Sequence, residues 1–228
     1  MGRIYLDHHA TTPVDPAVLA AMLPYFTERF GNPSGKSHAF AAEAHRAVEE
    51  ARARLAALIG AQPEDLVFTS GATEADNLAL RGTARSLASR GKHVVTSVLE
   101  HPAVLEPGRT LEREGFAVTR VEVDADGIVD PEDVRKSLRP DTVLVSLMAA
   151  NNEIGTLQPV DEVGALCRER GIVFHTDAVQ AVGRVPVSAD AWSADLMSLS
   201  AHKMYGPKGI GALYVRRGRR PPLRLPPL

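Results

Sequence analysis

The chain has 228 residues, 44% of them hydrophobic and 24% charged, with 26 Lys+Arg against 28 Asp+Glu. That length buries a full core in one large domain or two small ones, and the near-neutral balance offers no footing for a nucleic-acid or membrane partner. The single cysteine, Cys167, excludes a disulfide framework and a cysteine-based metal cluster; with no signal-peptide pattern and no run near the roughly 18 apolar residues of a membrane helix, a soluble cytoplasmic protein is expected.

Residues 15–30 are predicted as a short helix with an acidic start, bent or ended near Pro24, followed by a turn at GNPSG, 31–35. A long helix is expected over 37–59. It carries Ala44, Ala47, Val48, Ala51, Leu55, Leu58 and Ile59 on one face, an exposed Glu50–Arg54 pair, and Gly60 to close it. Strands and helices then alternate: strand 66–70, helix 72–90, strand 93–98, helix 102–114, strand 117–123, helix 131–138, strand 142–148, helix 160–170, strand 172–178, then strands 194–200 and 211–217. The unbroken apolar run TVLVSLM (142–148) fits a strand covered on both faces. The pattern predicts an α/β fold with a mostly parallel central sheet flanked by helices, where ligands lie beyond the C-terminal strand ends. The tail RRGRRPPLRLPPL lacks periodicity and reads as an irregular or disordered end.

Chemically capable residues collect at those strand ends. In FTSGATEADN, small residues precede a helix opening at Ala72 and Thr73, which makes an anion site; the bland alternative is a capping box of Thr73 and Asp76. His101 follows the strand 93–98, and Asn151, Asn152 and Glu153 follow 142–148, where a plain turn is the ordinary reading. Asp177 ends an apolar strand, at a depth where a carboxylate needs a cationic partner, and Gln180 is three residues on. Lys203 follows the strand 194–200, with Ser200 and His202 beside it and Gly206, Gly209 and Gly211 behind. A lysine in a partly desolvated, cationic setting has a useful neutral fraction and attacks carbonyls, although most lysines are only snorkelling surface residues.

Together these residues specify a ligand with five features. They are a phosphate (Ala72, Thr73, Ser200), an aromatic face (His101), a basic ring nitrogen (Asp177), a ring hydroxyl (Asn152 or Gln180) and an aldehyde (Lys203). Pyridoxal 5'-phosphate has all five.

The stretches YLDHHATTPVDP, FGNPSGKSHAFA, FTSGATEADN, EHPAV, NNEIGTLQPV, FHTDAVQAVG and SLSAHKMYGPKGIGALYVR also carry a family resemblance. From about residue 3 to 217 the chain resembles class V aminotransferases, most nearly the cysteine desulfurases of the NifS/IscS type. The resemblance implies the large domain of a pyridoxal-phosphate transferase of fold type I over 1–217, with a divergent Arg/Pro-rich tail at 218–228. It implies a homodimer that takes sulfur from L-cysteine, leaving alanine and a persulfide for iron–sulfur cluster assembly or thiolation, with sulfur-acceptor or scaffold proteins as partners. By the same resemblance, Lys203 would bind the cofactor aldehyde and move protons, and His101 would stack on the ring and assist. Asp177 would pair with the ring nitrogen and Gln180 with the ring oxygen, while Asn152 would sit at the ring edge. Ala72, Thr73, Ser200 and His202 would hold the phosphate.

The family continues into a loop with the catalytic cysteine, a substrate-binding arginine and a small C-terminal domain, which this chain is expected to lack; Cys167, mid-helix, reads as structural. A selenocysteine lyase, another class V enzyme and a non-catalytic cofactor-binding domain are the alternatives. A nucleotide-binding fold is set aside for want of a G-x-G-x-x-G or Walker pattern.

Overall fold

The computed structural model describes residues 3–35, 37–219 and 222–226. The first predicted helix is two: α1 (Pro16–Met22), capped by Asp15 Oδ1 accepting from Ala17 N at 2.7 Å, and α2 (Pro24–Thr27), restarted by Pro24. Then come α3 (Ala39–Leu58), β1 (Leu66–Thr69), α4 (Ala72–Ser86), β2 (His93–Ser97), α5 (Pro102–Arg113) and β3 (Ala117–Val121). The chain continues through α6 (Pro131–Ser137), β4 (Thr142–Ser146), α7 (Val160–Arg170), β5 (Val173–Asp177), β6 (Leu196–Ser200) and β7 (Gly211–Val215). Every predicted element is present, mostly one to four residues shorter.

The seven strands form one sheet in the order β1-β7-β6-β5-β4-β2-β3. β3, β2, β4, β5 and β6 run parallel, while β7 lies antiparallel between β1 and β6. Successive residues of each central strand serve opposite faces: Val94, Leu144, Val173 and Leu196 pack under α4 and α5, whereas Val95, Val145, Phe174 and Met197 join Val163 and Cys167 of α7. This two-sided burial explains why adjacent apolar residues recur in these strands in place of a strict apolar–polar alternation. Cys167 is fully buried, and burial pushes its thiol up, as a structural cysteine requires.

The apolar face of α3 is covered only in part: Ala44 and Ile59 are buried and Leu55 packs on the core, but Leu58 is 49% exposed, and Ala47, Val48 and Ala51 line an open groove with Phe30 and Phe68. Periodicity identifies an apolar face without saying what covers it. Two expectations need correction. Glu50 lies 4.0 Å from Arg46, one turn before it, rather than pairing with Arg54. The described tail residues 222–226 have no regular structure, yet Leu223 and Leu225 pack against the α4 side of the core. Arg220, Pro221, Pro227 and Leu228 of that tail lie outside the described residues. Among the described residues no helix is long and apolar enough to cross a membrane.

Two glycines set the approach of β7 to α4. A Cβ on Gly211 would come 2.5 Å from the Leu199 carbonyl oxygen and 2.8 Å from Cα of Gly71, the residue before α4. Gly211→Ala is therefore expected to cost about 1–3 kcal/mol, as overpacking does. It should appear as a lower urea midpoint at unchanged slope, and it should displace the start of α4.

Candidate active site

β1, β2, β4, β5 and β6 end on one side of the sheet, and the loops after them build a cavity there, as parallel sheets do. All nine sequence-predicted residues line it: Ala72, Thr73, His101, Asn152, Asp177, Gln180, Ser200, His202 and Lys203. Ser70, Glu74, Met148 and Lys208 join them.

One end of the cavity is an anion cradle. Gly71 is the N-cap of α4 and no side chain caps the first turn, so the alternative reading, a Thr73–Asp76 capping box, does not form. Glu74 instead turns back to accept from Ser70 N at 2.6 Å and Ser70 Oγ at 2.7 Å, and Asp76 is rotated into the core. That leaves the positive end of a 15-residue helix facing the cavity. Ser200 ends β6 on the same side, and Lys208 adds positive charge. Burial lowers the basicity of His202, and the Lys203 and Lys208 ammoniums lower it further. A neutral, hydrogen-bonding imidazole beside a helix terminus suits a phosphate.

The opposite wall is acidic. Asp177, at the last position of β5, is 6% exposed. Its Oδ1 accepts from Val179 N at 3.0 Å. Burial pushes its carboxyl up to about 7, and the buried Asp76 adds to the rise; the Val179 N–H, His175 and His101 oppose it. Such a group gains by meeting a cation in the cavity.

Lys203 sits in a short 3-10 turn after β6 and is half-buried. Its Nζ donates to the His9 carbonyl and, at 2.9 Å, to the Ala10 carbonyl. Burial lowers its basicity and the Arg184 guanidinium lowers it further, against Asp177 and Asp7. The lowered basicity favours the neutral, nucleophilic amine relative to an ordinary surface lysine. His101 is the N-cap of α5, and its Nδ1 accepts from Ala103 N at 3.1 Å, so in the neutral ring the proton is assigned to Nε2.

Sequence reasoning missed the wall opposite β6. Residues 7–15 strap across the loop after that strand: Thr12 N donates to the His202 carbonyl at 2.9 Å, Tyr205 N to Thr12 Oγ1 at 2.8 Å, and His202 Nδ1 lies 3.1 Å from Thr11 Oγ1. Gln180 Nε2 donates to the His9 carbonyl at 2.8 Å. Arg184, four residues past Gln180 in the turns after β5, donates to its side-chain oxygen, to the His8 carbonyl at 2.9 Å and to the Lys203 carbonyl at 3.2 Å. The i,i+4 spacing of Gln180 and Arg184 was the available signal. Of the two asparagines, Asn151 is the turn former, its Oδ1 accepting from Glu153 N and Ile154 N, while Asn152 faces the cavity.

The donor set therefore suits a ligand with an anionic group at α4, a cationic ring atom at Asp177 and a carbonyl within reach of Lys203. Pyridoxal phosphate fits each of these demands.

Residues 4–226 match the aminotransferase class-V family. The chain is 57% identical over 222 residues to the cysteine desulfurase IscS of Anaeromyxobacter dehalogenans, covering 97% of this chain and 54% of that protein. It is 54% identical over 228 residues to the mitochondrial cysteine desulfurase of Drosophila melanogaster, covering 100% of this chain and 49% of that protein. Among solved structures it resembles a NifS-like protein, with TM-score 0.93 and 41% identity over 98% of this chain and 61% of the other. It also resembles SspA in complex with cysteine, with TM-score 0.93 and 42% identity over 98% and 64%. The chain spans about half the length of the curated relatives it matches. A family profile that runs through nearly every residue, over a cavity with this donor set, leaves one conclusion: the chain belongs to the aminotransferase class-V family of pyridoxal phosphate-dependent enzymes.

Proposed function

We propose that this chain is the cofactor-binding part of a cysteine desulfurase, over residues 1–217 with a short tail at 218–228, acting on L-cysteine to release its sulfur and leave alanine. The observation that carries the reading is the convergence of the Lys203 amine, the Asp177 carboxylate and the N-terminus of α4 on one cavity. The names of the relatives, and the cysteine bound to SspA, support the substrate.

In this reading the α4 terminus, Thr73, Ser200 and His202 hold the phosphate. Asp177 holds the ring nitrogen as a cation, His101 covers the ring face, and Gln180 and Asn152 fix the ring edge. The bound cofactor supplies an electron sink for charge that develops at the substrate α-carbon. Lys203 then moves the proton at that carbon, a task for which its lowered basicity fits it. The one thiol of these 228 residues, Cys167, is buried in α7 away from the cavity, so the sulfur acceptor is a thiol from elsewhere. A homodimer, a sulfur-accepting protein in iron–sulfur cluster assembly, and a cytoplasmic location complete the proposal. Apolar side chains left open at Ile4, Leu6, Phe26 and Phe30, each 67–84% exposed, support a protein partner.

The test is chemical. The chain is incubated with pyridoxal phosphate, reduced with borohydride and mapped by peptide mass. The expected result is a single adduct on the peptide containing Lys203. Adducts spread evenly over surface lysines such as Lys92 and Lys136 would sink the reading.

A further inference from the structure

Gln180 lines the cavity as a buried side chain, and both ends of its amide are engaged. Its Oε1 accepts from Arg184 Nη1, and its Nε2 donates to the His9 carbonyl at 2.8 Å. These partners fix the amide's orientation by their chemistry. A guanidinium only donates and a backbone carbonyl only accepts, so the flipped amide would set donor against donor and acceptor against acceptor. Gly183 lets the chain bring Arg184 back over Gln180: its φ of 81° suits glycine, and a Cβ there would lie 3.3 Å from Met204 Cβ. Arg184 N and Val185 N both donate to the Ala181 carbonyl at 3.0 Å, which closes the turn. The guanidinium also holds the His8 and Lys203 carbonyls. It is therefore anchored to the strap and to the lysine turn while it engages Gln180.

The nitrogen end of the amide is the end beside Lys203, because the His9 carbonyl that accepts from Gln180 Nε2 also accepts from Lys203 Nζ. In pyridoxal phosphate the ring hydroxyl sits on the carbon next to the one that bears the aldehyde. An aldehyde met by Lys203 therefore brings the ring oxygen to that same end. We propose that Arg184 is a positioning residue: by holding Gln180 Oε1 it turns the second N–H of Nε2 toward the ring oxygen, so that this wall of the cavity offers a donor and not an acceptor. The inference rests on the cofactor reading given above. Without Arg184, Lys203 Nζ becomes a donor for Oε1, and an amide that turns to accept from it sets oxygen against the ring oxygen.

The experiment titrates the 228-residue chain with pyridoxal phosphate and with the analogue lacking the ring hydroxyl. The ratio of the two dissociation constants is taken for wild type, Arg184→Met, Gln180→Ala and the double variant. Intrinsic differences between the two aldehydes cancel when ratios are compared among variants, as does any change in Lys203 that affects both ligands alike. Arg184→Met is expected to lower the preference for the hydroxyl-bearing cofactor by roughly fivefold. It should add nothing to Gln180→Ala, because it acts through that side chain. A merely structural role weakens both ligands equally and leaves the ratio unmoved, and a direct pull of the guanidinium charge on the ring oxygen persists in the double variant; either result overturns the proposal. Gln180→Glu decides the matter if Arg184→Met does not fold. Its carboxylate keeps an acceptor for Arg184 and has no donor for the ring, so the preference should vanish, and a preserved preference overturns the assigned orientation. A wild type that binds neither aldehyde would refute the cofactor reading itself, whereas failure of the proposal alone leaves binding intact and the ratio fixed.

Discussion

Lys203→Ala is expected to abolish the near-visible absorption band that pyridoxal phosphate gains on binding the wild type, and to lower any turnover of amino acid by ~10³-fold or more. The size follows from two losses at one atom: the amine that meets the cofactor carbonyl, and the base that moves the substrate proton. Lys203→Arg separates these from charge. Arginine keeps the cation near Asp177 but does not deprotonate near neutral pH, so it should fail as completely as alanine. Added methylamine should restore part of the band to the alanine variant, because it replaces the lost amine. The neighbours make the wild-type amine usable. Nζ is tied to the His9 and Ala10 carbonyls, and its basicity is lowered by burial and by Arg184. A wild-type band that survives in Lys203→Ala would place the carbonyl chemistry on another residue.

What could be read in the residues depended on how local the determining contacts are. The central strands were legible because Val94–Val95, Leu144–Val145 and Val173–Phe174 serve cores on opposite faces, which puts adjacent apolar pairs where a half-exposed strand would alternate. His101, Asp177 and Lys203 were legible because each directly follows or ends such a strand. The insertion of β7 between β1 and β6 was not, since Leu66 of β1 pairs with Tyr214 of β7, 148 positions on in the chain. The strap at residues 7–15 was missed for the same reason: its hydrogen bonds reach residues some 190 positions on. The alternative of Asp76 as half of a cap arose because the spacing from Thr73 suits one. Its true placement depends on the rotation of α4, which sends Ala75, Ala79, Leu80 and Thr83 inward and carries Asp76 with them. The apolar side of α3 was legible as a face, but what covers it, in part the core and in part nothing within the described residues, is not encoded in its periodicity.

Asp177→Asn should move two measurements in opposite directions. In the cofactor-free chain the Asp177 carboxyl holds its proton up to about pH 7, whereas the unfolded chain releases it near the ordinary 3.8. The folded state thus binds more protons across that window, so the group's contribution is complete below about pH 4 and is lost as pH rises to about 7. Asparagine does not titrate and keeps an oxygen for the Val179 N–H. From pH 5 to pH 8 the variant is therefore expected to gain on the wild type by on the order of 2 kcal/mol, or roughly 4–8 °C in Tm. The same change should weaken pyridoxal phosphate by at least ~10²-fold, because a neutral amide leaves a buried cationic ring atom uncompensated. Thermal melts at the two pH values, with and without cofactor, check both. A variant that bound cofactor as tightly as the wild type would remove Asp177 from the site, whereas one whose stability fell in step with the wild type as pH rose would show the carboxyl already ionised in the free chain. The opposed signs distinguish a carboxylate held for a ligand from one held for the fold.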